Sequence, residues 1–324
     1  MRLGVSGALL GALLCAGCPS NDETLVYIGG QTVDAKTIDA DPLAMLPGGA
    51  LILGQLDAAA LFATSLGPAV GQIATNLLPL GVESNFVPSR DVKRIYAATY
   101  SMQGADFCAI LQGNFDETAI RRAAQRMAQT PSGVPVVETH YAGNSLYTVS
   151  NIGFAVLTPS TILSGNETAM RRALDRLRLG KLDRSLPPWM QELFATQGAD
   201  FVLAADLSAE NVIEAAAPQV PFLPGLRIVR VLGNFRPPGT NIVGALTYAD
   251  NPSATQGVQA LNQLQQFGSF TTLLALLGFA PKIPPVTVAQ QGRDVAFSVA
   301  VDSSTAVALL DFFTRLTQPH WTRR

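Results

Sequence analysis

Side chains able to shuttle protons, bind a transition metal or attack a carbonyl are few in this sequence, and they lie far apart. There are two histidines, His140 and His320, and three cysteines, Cys15, Cys18 and Cys108, among 324 residues. Glu138 stands two residues before His140, which places both on one face of a strand and would let a carboxylate orient an imidazole. The segment offers no evident nucleophile or oxyanion donor beside them, so a solvated pair is the expectation. A hydrolase, if this were one, would have to be built around His140. No group of His, Cys, Asp and Glu has the spacing of a zinc or iron site. Phosphate-loop, dinucleotide-turn, nucleophile-elbow and His-Glu-x-x-His signatures are missing as well. Asp200/Asp206 and Asp22/Glu23 have the pattern of ordinary surface acids. The expectation is therefore no enzymatic activity, no cofactor and no metal. Cys108, within Phe107-Cys108-Ala109-Ile110-Leu111, is expected to be a buried and inert thiol.

Composition narrows the classes further. With 48% apolar and 14% charged residues the chain must collapse, which excludes intrinsic disorder. Its 28 Gly and 21 Pro follow no period, which excludes a collagen-like fibre. A net charge of −2 provides no field to gather nucleic acid.

The elements that would position any site repeat one phrase: a short apolar strand, a small polar cap, then an amphipathic helix. Leu51-Ile52-Leu53 leads to Asp57 and a helix Ala58–Leu66, and Ala109-Ile110-Leu111 leads to Asp116 and Ala119–Met127. Thr161-Ile162-Leu163 leads to Asn166 and Ala169–Leu177, and Phe201-Val202-Leu203 to Ser208 and Val212–Ala217. Val243–Tyr248 precedes Asn251-Pro252, and Phe297–Val301 precedes Asp302 and Ala306–Leu316. Asp, Asn and Ser at these positions accept the free N–H groups of a first helical turn.

Glu117–Met127 and Glu167–Leu177 share seven of eleven residues at a shift of 50. Their arginines line outer faces, where Glu117 with Arg121, Glu167 with Arg171 and Arg171 with Asp175 sit four apart and neutralise one another. A fainter correspondence at a shift of 136 places Arg94-Ile95 on Arg230-Val231 and Asn166 on Asp302, while Gly49–Ile52 matches Gly198–Phe201. The expectation is an α+β fold of two similar β-α-β-β-α-β-β-α halves, 42–187 and 188–318. Short hairpin turns at Gly104, Asn144, Gly239 and Gly292 join neighbouring strands, so their sheets would be largely antiparallel, with helices on one face and a short tail at 319–324.

The N-terminus carries a different signal. Met1-Arg2 precedes an apolar run from Leu3 to Leu14, too short for the roughly 20 residues that span a bilayer. It ends in Leu14-Cys15-Ala16-Gly17-Cys18, with small residues before a thiol. This motif resembles the lipobox of bacterial lipoproteins, with Cys15 where leucine is usual. The resemblance implies a signal peptide at 1–17, lipid on Cys18, and a polar tether at 18–41. Pro19 after the cysteine implies, by the same resemblance, sorting to an outer membrane, with the body facing the periplasm. The body loosely resembles uncharacterised secreted bacterial proteins built of repeated α+β units. The phrases that carry this are Leu56-Asp57, Ser65-Leu66-Gly67-Pro68, Arg90-Asp91-Val92 and the strand ends Gly113-Asn114 and Gly165-Asn166. It implies architecture and no activity.

Two segments are apolar over more than one helical stripe: Leu61–Leu80 and Phe267–Phe279. Such surface is either packed between the halves or covered by a ligand, a membrane or another envelope protein. Leu61, Leu66, Ile73, Leu77, Phe267, Phe270, Leu274 and Leu277 are accordingly the candidate wall for a hydrophobic ligand such as an acyl chain. The overall expectation is a lipid-anchored envelope protein with a binding or structural role, or a carrier of a hydrophobic ligand.

Overall fold

The computed structural model describes residues 25–29, 31–77, 82–101, 106–130, 133–208, 222–237, 239–266 and 285–307. A hairpin of β1 (Leu25–Ile28) and β2 (Gln31–Asp34) leads into two short helices, α1 (Ala35–Ala40) and α2 (Pro42–Met45). The first half continues with β3 (Ile52–Asp57), α3 (Ala58–Phe62), α4 (Gly67–Leu77), α5 (Pro88–Asp91), β4 (Val92–Ser101), β5 (Asp106–Gly113) and α6 (Glu117–Arg126). It ends in β6 (Val137–Tyr141), β7 (Asn144–Val149), β8 (Ile152–Thr158), β9 (Thr161–Asn166) and α7 (Glu167–Arg178). After α8 (Pro188–Phe194) come β10 (Phe201–Asp206), β11 (Leu226–Asn234), β12 (Gly239–Tyr248), α9 (Asn251–Gln266), β13 (Thr287–Gln291) and β14 (Asp294–Asp302).

Twelve of these strands form one antiparallel sheet, in the order β13-β14-β12-β11-β10-β3-β4-β5-β9-β8-β7-β6. The fold is α+β and antiparallel, as the sequence predicts, but the expected sheets are joined edge to edge through β3 and β10. Outward from that seam the strands run β3-β4-β5-β9-β8 on one side and β10-β11-β12-β14-β13 on the other. The two sides share one order, with the β6–β7 hairpin as an extension of the first.

The seam itself has a local two-fold pattern. Gly54 lies opposite Leu203, with Ile52 opposite Ala205 and Leu56 opposite Phe201. On the alignment of Gly49 with Gly198, this register reads the same in both directions. Asp57 N–H donates to Asp200 O at 2.6 Å, and Asp206 N–H donates to Leu51 O at 2.8 Å. Gly49 and Gly198 both adopt φ 82°, a left-handed conformation that glycine reaches without a steric cost.

Helices cover both faces of the first half, which corrects the expectation of one covered face. On one side α7 buries Ala169, Met170, Ala173, Leu174 and Leu177 against Leu53, Cys108, Ile110 and Leu163. On the other, α3 and α6 bring Ala58, Ile120 and Ala124 to Phe154, Val156 and Ile162. Continuous apolar runs such as Ala155-Val156-Leu157 and Ile162-Leu163 have no polar alternate to give to water, so both faces need cover. In the second half, α9 brings Ala254 to Leu246, Tyr248 and Val295.

A second correction concerns the tether, expected to extend to residue 41. From Leu25 onward the chain belongs to the fold: Ile28 and Ile38 are fully buried in the same core as α7. Three hydrogen bonds fasten α1 to the sheet. Thr158 Oγ1 and Thr161 Oγ1 donate to Asp39 Oδ1 at 2.7 and 2.6 Å, and Gln112 Nε2 donates to Asp39 O at 2.8 Å.

The helix caps follow the sequence reading in part. Asp57 Oδ1 accepts from Ala60 N–H and Asp116 Oδ1 from Ala119 N–H, each at 2.9 Å. The first apolar helix breaks after Phe62 and restarts at Gly67, so Ala58–Leu66 is a short helix and a turn. Asn166 precedes α7 but its Oδ1 accepts from Phe107 N–H at 3.0 Å, across the sheet. Ahead of α9 the capping side chain is Asp250, which accepts from Ser253 N–H at 2.8 Å, and not Asn251. The predicted helices at 212–217 and 306–316 lie wholly or mostly outside the described residues.

Cys108 is fully buried, and burial pushes its thiol up to about 12. Because the thiolate is the reactive species, a maleimide applied to the native protein is expected to leave Cys108 unmodified and to label it only after denaturation. Labelling at native rates typical of a free thiol would show that this strand opens.

Candidate binding cavity

The polar groups singled out in the sequence are mostly committed to structure. His140 lies on β6 at the edge of the sheet, and its side chain is 75% exposed. Its Nε2 is 3.5 Å from Ser145 Oγ and 3.9 Å from Glu138 Oε1. Both neighbours approach the same ring nitrogen, whereas a base that relays protons needs its carboxylate on the other one. This arrangement fits a solvated edge cluster.

Five arginines of the twin helices, Arg121, Arg171, Arg172, Arg176 and Arg178, are paired within the fold, while Arg122 and Arg126 are exposed. Arg121 holds Glu117 at 2.9 Å, Arg171 holds Glu167 at 2.6 Å, and Arg172 holds Asp106 at 2.5 Å. Arg172 also lies over the Tyr100 ring at 4.6 Å, and Arg171 over Tyr141 at 4.8 Å. Asp175, expected to meet Arg171, instead accepts from Arg178 at 2.7 Å and from Tyr141 OH at 2.9 Å. Arg176 donates from Nε to Ala44 O at 3.1 Å, tying α7 to α2. Most of this face is taken up by internal pairs, and each exposed pair contributes little to stability.

The apolar candidates separate. Leu61 is buried within the core side of α3. Ile73 and Leu77 belong to α4, but their side chains lie outside the described set, as do Phe267, Phe270, Leu274, Leu277 and Cys18. Leu66 is different: it lines a cavity of about 420 Å³, together with Ala63, Thr64, Ser65, Phe235, Pro237, Gly239, Thr240 and Ser303. That volume falls in the range of small-molecule sites, roughly 300–1,000 Å³.

Three walls meet there, each fixed by its own hydrogen bonds. The α3–α4 turn is locked because Thr64 Oγ1 donates to Leu61 O at 2.7 Å and accepts from Leu66 N–H at 3.1 Å. The β11–β12 turn is held at Phe235, whose N–H donates to Asp200 Oδ2 at 2.7 Å. Asn241 Nδ2 spans that turn, reaching Asn234 Oδ1 at 3.0 Å and Arg236 O at 2.9 Å. The Phe235 ring rests on Phe201, with centroids 5.5 Å apart. Ser303 follows Asp302, whose carboxylate accepts from Thr305 N–H at 2.9 Å and Thr305 Oγ1 at 2.7 Å. The Ser304 hydroxyl donates to the same carboxylate, and it, with the Thr305 bonds, holds the Asp302 carboxyl well below the usual carboxylate range.

Gly239 permits the last approach, since a Cβ there would fall 2.3 Å from Val301 O. The sequence reading treated this glycine only as a hairpin turn. Phe235-Arg236-Pro237-Pro238-Gly239, an aromatic one residue ahead of Pro-Pro-Gly, is the signal of a stiff loop next to a ring, and it was the clue available.

No family model matches this chain, and no curated relative matches it. Solved structures similar in fold are crystal forms of TP0453. Crystal form III has a TM-score of 0.50 at 12% identity, covering 85% of this chain and 98% of that one. Crystal form I has a TM-score of 0.50 at 13% identity, covering 84% and 97% respectively. At such identity the likeness is one of fold alone. Among the described residues no helix is long and apolar enough to cross a membrane.

Proposed function

We propose that this chain is a lipid-anchored protein of the bacterial envelope whose role is to bind a small molecule, without enzymatic chemistry. The observation that carries this reading is the Leu14–Cys18 motif standing six residues ahead of a folded β1. Six residues, 19–24, can span at most about 20–22 Å, so lipid on Cys18 would hold the body against its membrane. The cavity between the α3–α4 turn and the second half supports a binding role.

Labelled palmitate supplied to expressing cells is expected to enter the protein, to be lost in Cys18→Ser, and to persist in Cys15→Ser. Label that survives Cys18→Ser would end the anchor reading. A second reading, a carrier of a hydrophobic ligand, is favoured by Leu66, Phe235 and Pro237 on the cavity wall.

A further inference from the structure

We propose that the cavity takes a neutral, hydroxyl-rich ligand of saccharide size rather than an acyl chain; this rests on reading the cavity as a binding site. The first reason is electrostatic. None of the nine lining residues carries an ionisable side chain. The nearest acid in sequence, Asp302, is spent on Ser304 and Thr305. The lining gives a carboxylate, phosphate or ammonium group no counter-charge of its own; the charged neighbours are Arg236, between Phe235 and Pro237 in the chain, and Asp200, already engaged by the Phe235 N–H.

The second reason is polar satisfaction. Thr64 Oγ1 is already committed on both sides to Leu61 and Leu66. Ser65, Thr240 and Ser303 bring hydroxyl-bearing side chains to the lining from three different walls. An acyl chain would cover those hydroxyls and offer them nothing, at a cost for each group left unpaired. Hydroxyls on a ligand can both donate and accept, and a serine or threonine hydroxyl can answer in either sense.

The third reason is shape. Phe235, on the cavity wall, packs its ring against Phe201 at a tilt of 38° and is held through its backbone by Asp200. A pyranose ring has one face of C–H bonds that lies flat on such a ring, with hydroxyls around its rim. One aromatic plate with hydroxyls around it matches that distribution. Because all three walls are held before any ligand arrives, little ordering has to accompany binding.

The test uses the full chain reconstituted in nanodiscs, with empty nanodiscs as the blank and saturation-transfer NMR as the readout. The probes are maltose, cellobiose, N,N′-diacetylchitobiose and dodecanoate. At least one disaccharide is expected to bind with a Kd of about 1 mM or tighter, and Phe235→Ala is expected to weaken it about tenfold. Thr240→Val and Ser303→Ala, which remove a hydroxyl with little change of volume, should each weaken it as well. They serve if Phe235→Ala disturbs the Phe201 contact. Silence from all three disaccharides at about 10 mM overturns the proposal. So does saccharide binding indifferent to all three variants. Dodecanoate bound in a manner sensitive to Phe235→Ala, with no saccharide signal, overturns the ligand class and leaves the binding role standing. No signal from any probe removes both.

Discussion

Replacing Asp39 with alanine is expected to destabilise the protein by about 2–4 kcal/mol, because two hydrogen bonds from hydroxyls to a carboxylate are lost. Thr158 and Thr161, the two donors, are 1% and 0% exposed, so neither can turn to water when the carboxylate is gone. Each is left as a buried donor without its acceptor. Asp39→Asn keeps an oxygen at that point and should recover part of the loss. Urea unfolding of the three proteins, followed by the shift in midpoint at constant slope, measures the difference. A change below about 0.5 kcal/mol would place α1 among ordinary surface segments and restore the longer tether.

The second large effect concerns the two covered faces. Ile162 and Leu163 are neighbours on β9 whose side chains enter different cores, one under α6 and the other under α7. Both are nearly inaccessible, at 4% and 0%. Ile162→Ala and Leu163→Ala are each expected to cost about 2–5 kcal/mol, the usual range for a buried large aliphatic cut to alanine. A sheet covered on one face alone would give one large value and one near zero. Thermal or urea unfolding of each variant decides between these outcomes, and a markedly unequal pair would contradict the double cover.

Much of this was readable from local pattern. Asp57 and Asp116 cap helices because a short acceptor before an apolar stripe has few other uses, and the twin helices end near where their spacing predicts. Antiparallel pairing followed from short turns between strands. What was not readable depends on distance in the chain. Asn166 has the chemistry of a cap, yet the sheet offered it Phe107 N–H, a partner 59 residues away. Asp39 looked like part of a polar tether, and its two threonine donors stand over a hundred residues further on. The cavity was the least legible feature, with only Leu66 foreseen. Its walls come from 63–66, 235–240 and 303, and they meet only once β3 pairs with β10 and β12 with β14.

The unbroken sheet has a geometric consequence for what the molecule can present at once. Adjacent strands rotate by about 20–25° relative to each other, always in the same sense. The helix α9 sits on β12, β13 and β14, and α6 sits on β8, in the same sheet. Following side-chain alternation from Leu246 through Val229, Ala205 and Ile52 to Thr99 places both helices on one nominal face. Eight strand-to-strand steps lie between β14 and β8, so at that average twist the surface normal is expected to turn by about 160–200° from one helix to the other. The outer sides of α6 and α9 therefore look in nearly opposite directions. A flat partner, a bilayer included, can meet one of them at a time, and whichever half it touches leaves the other turned toward the solvent beyond.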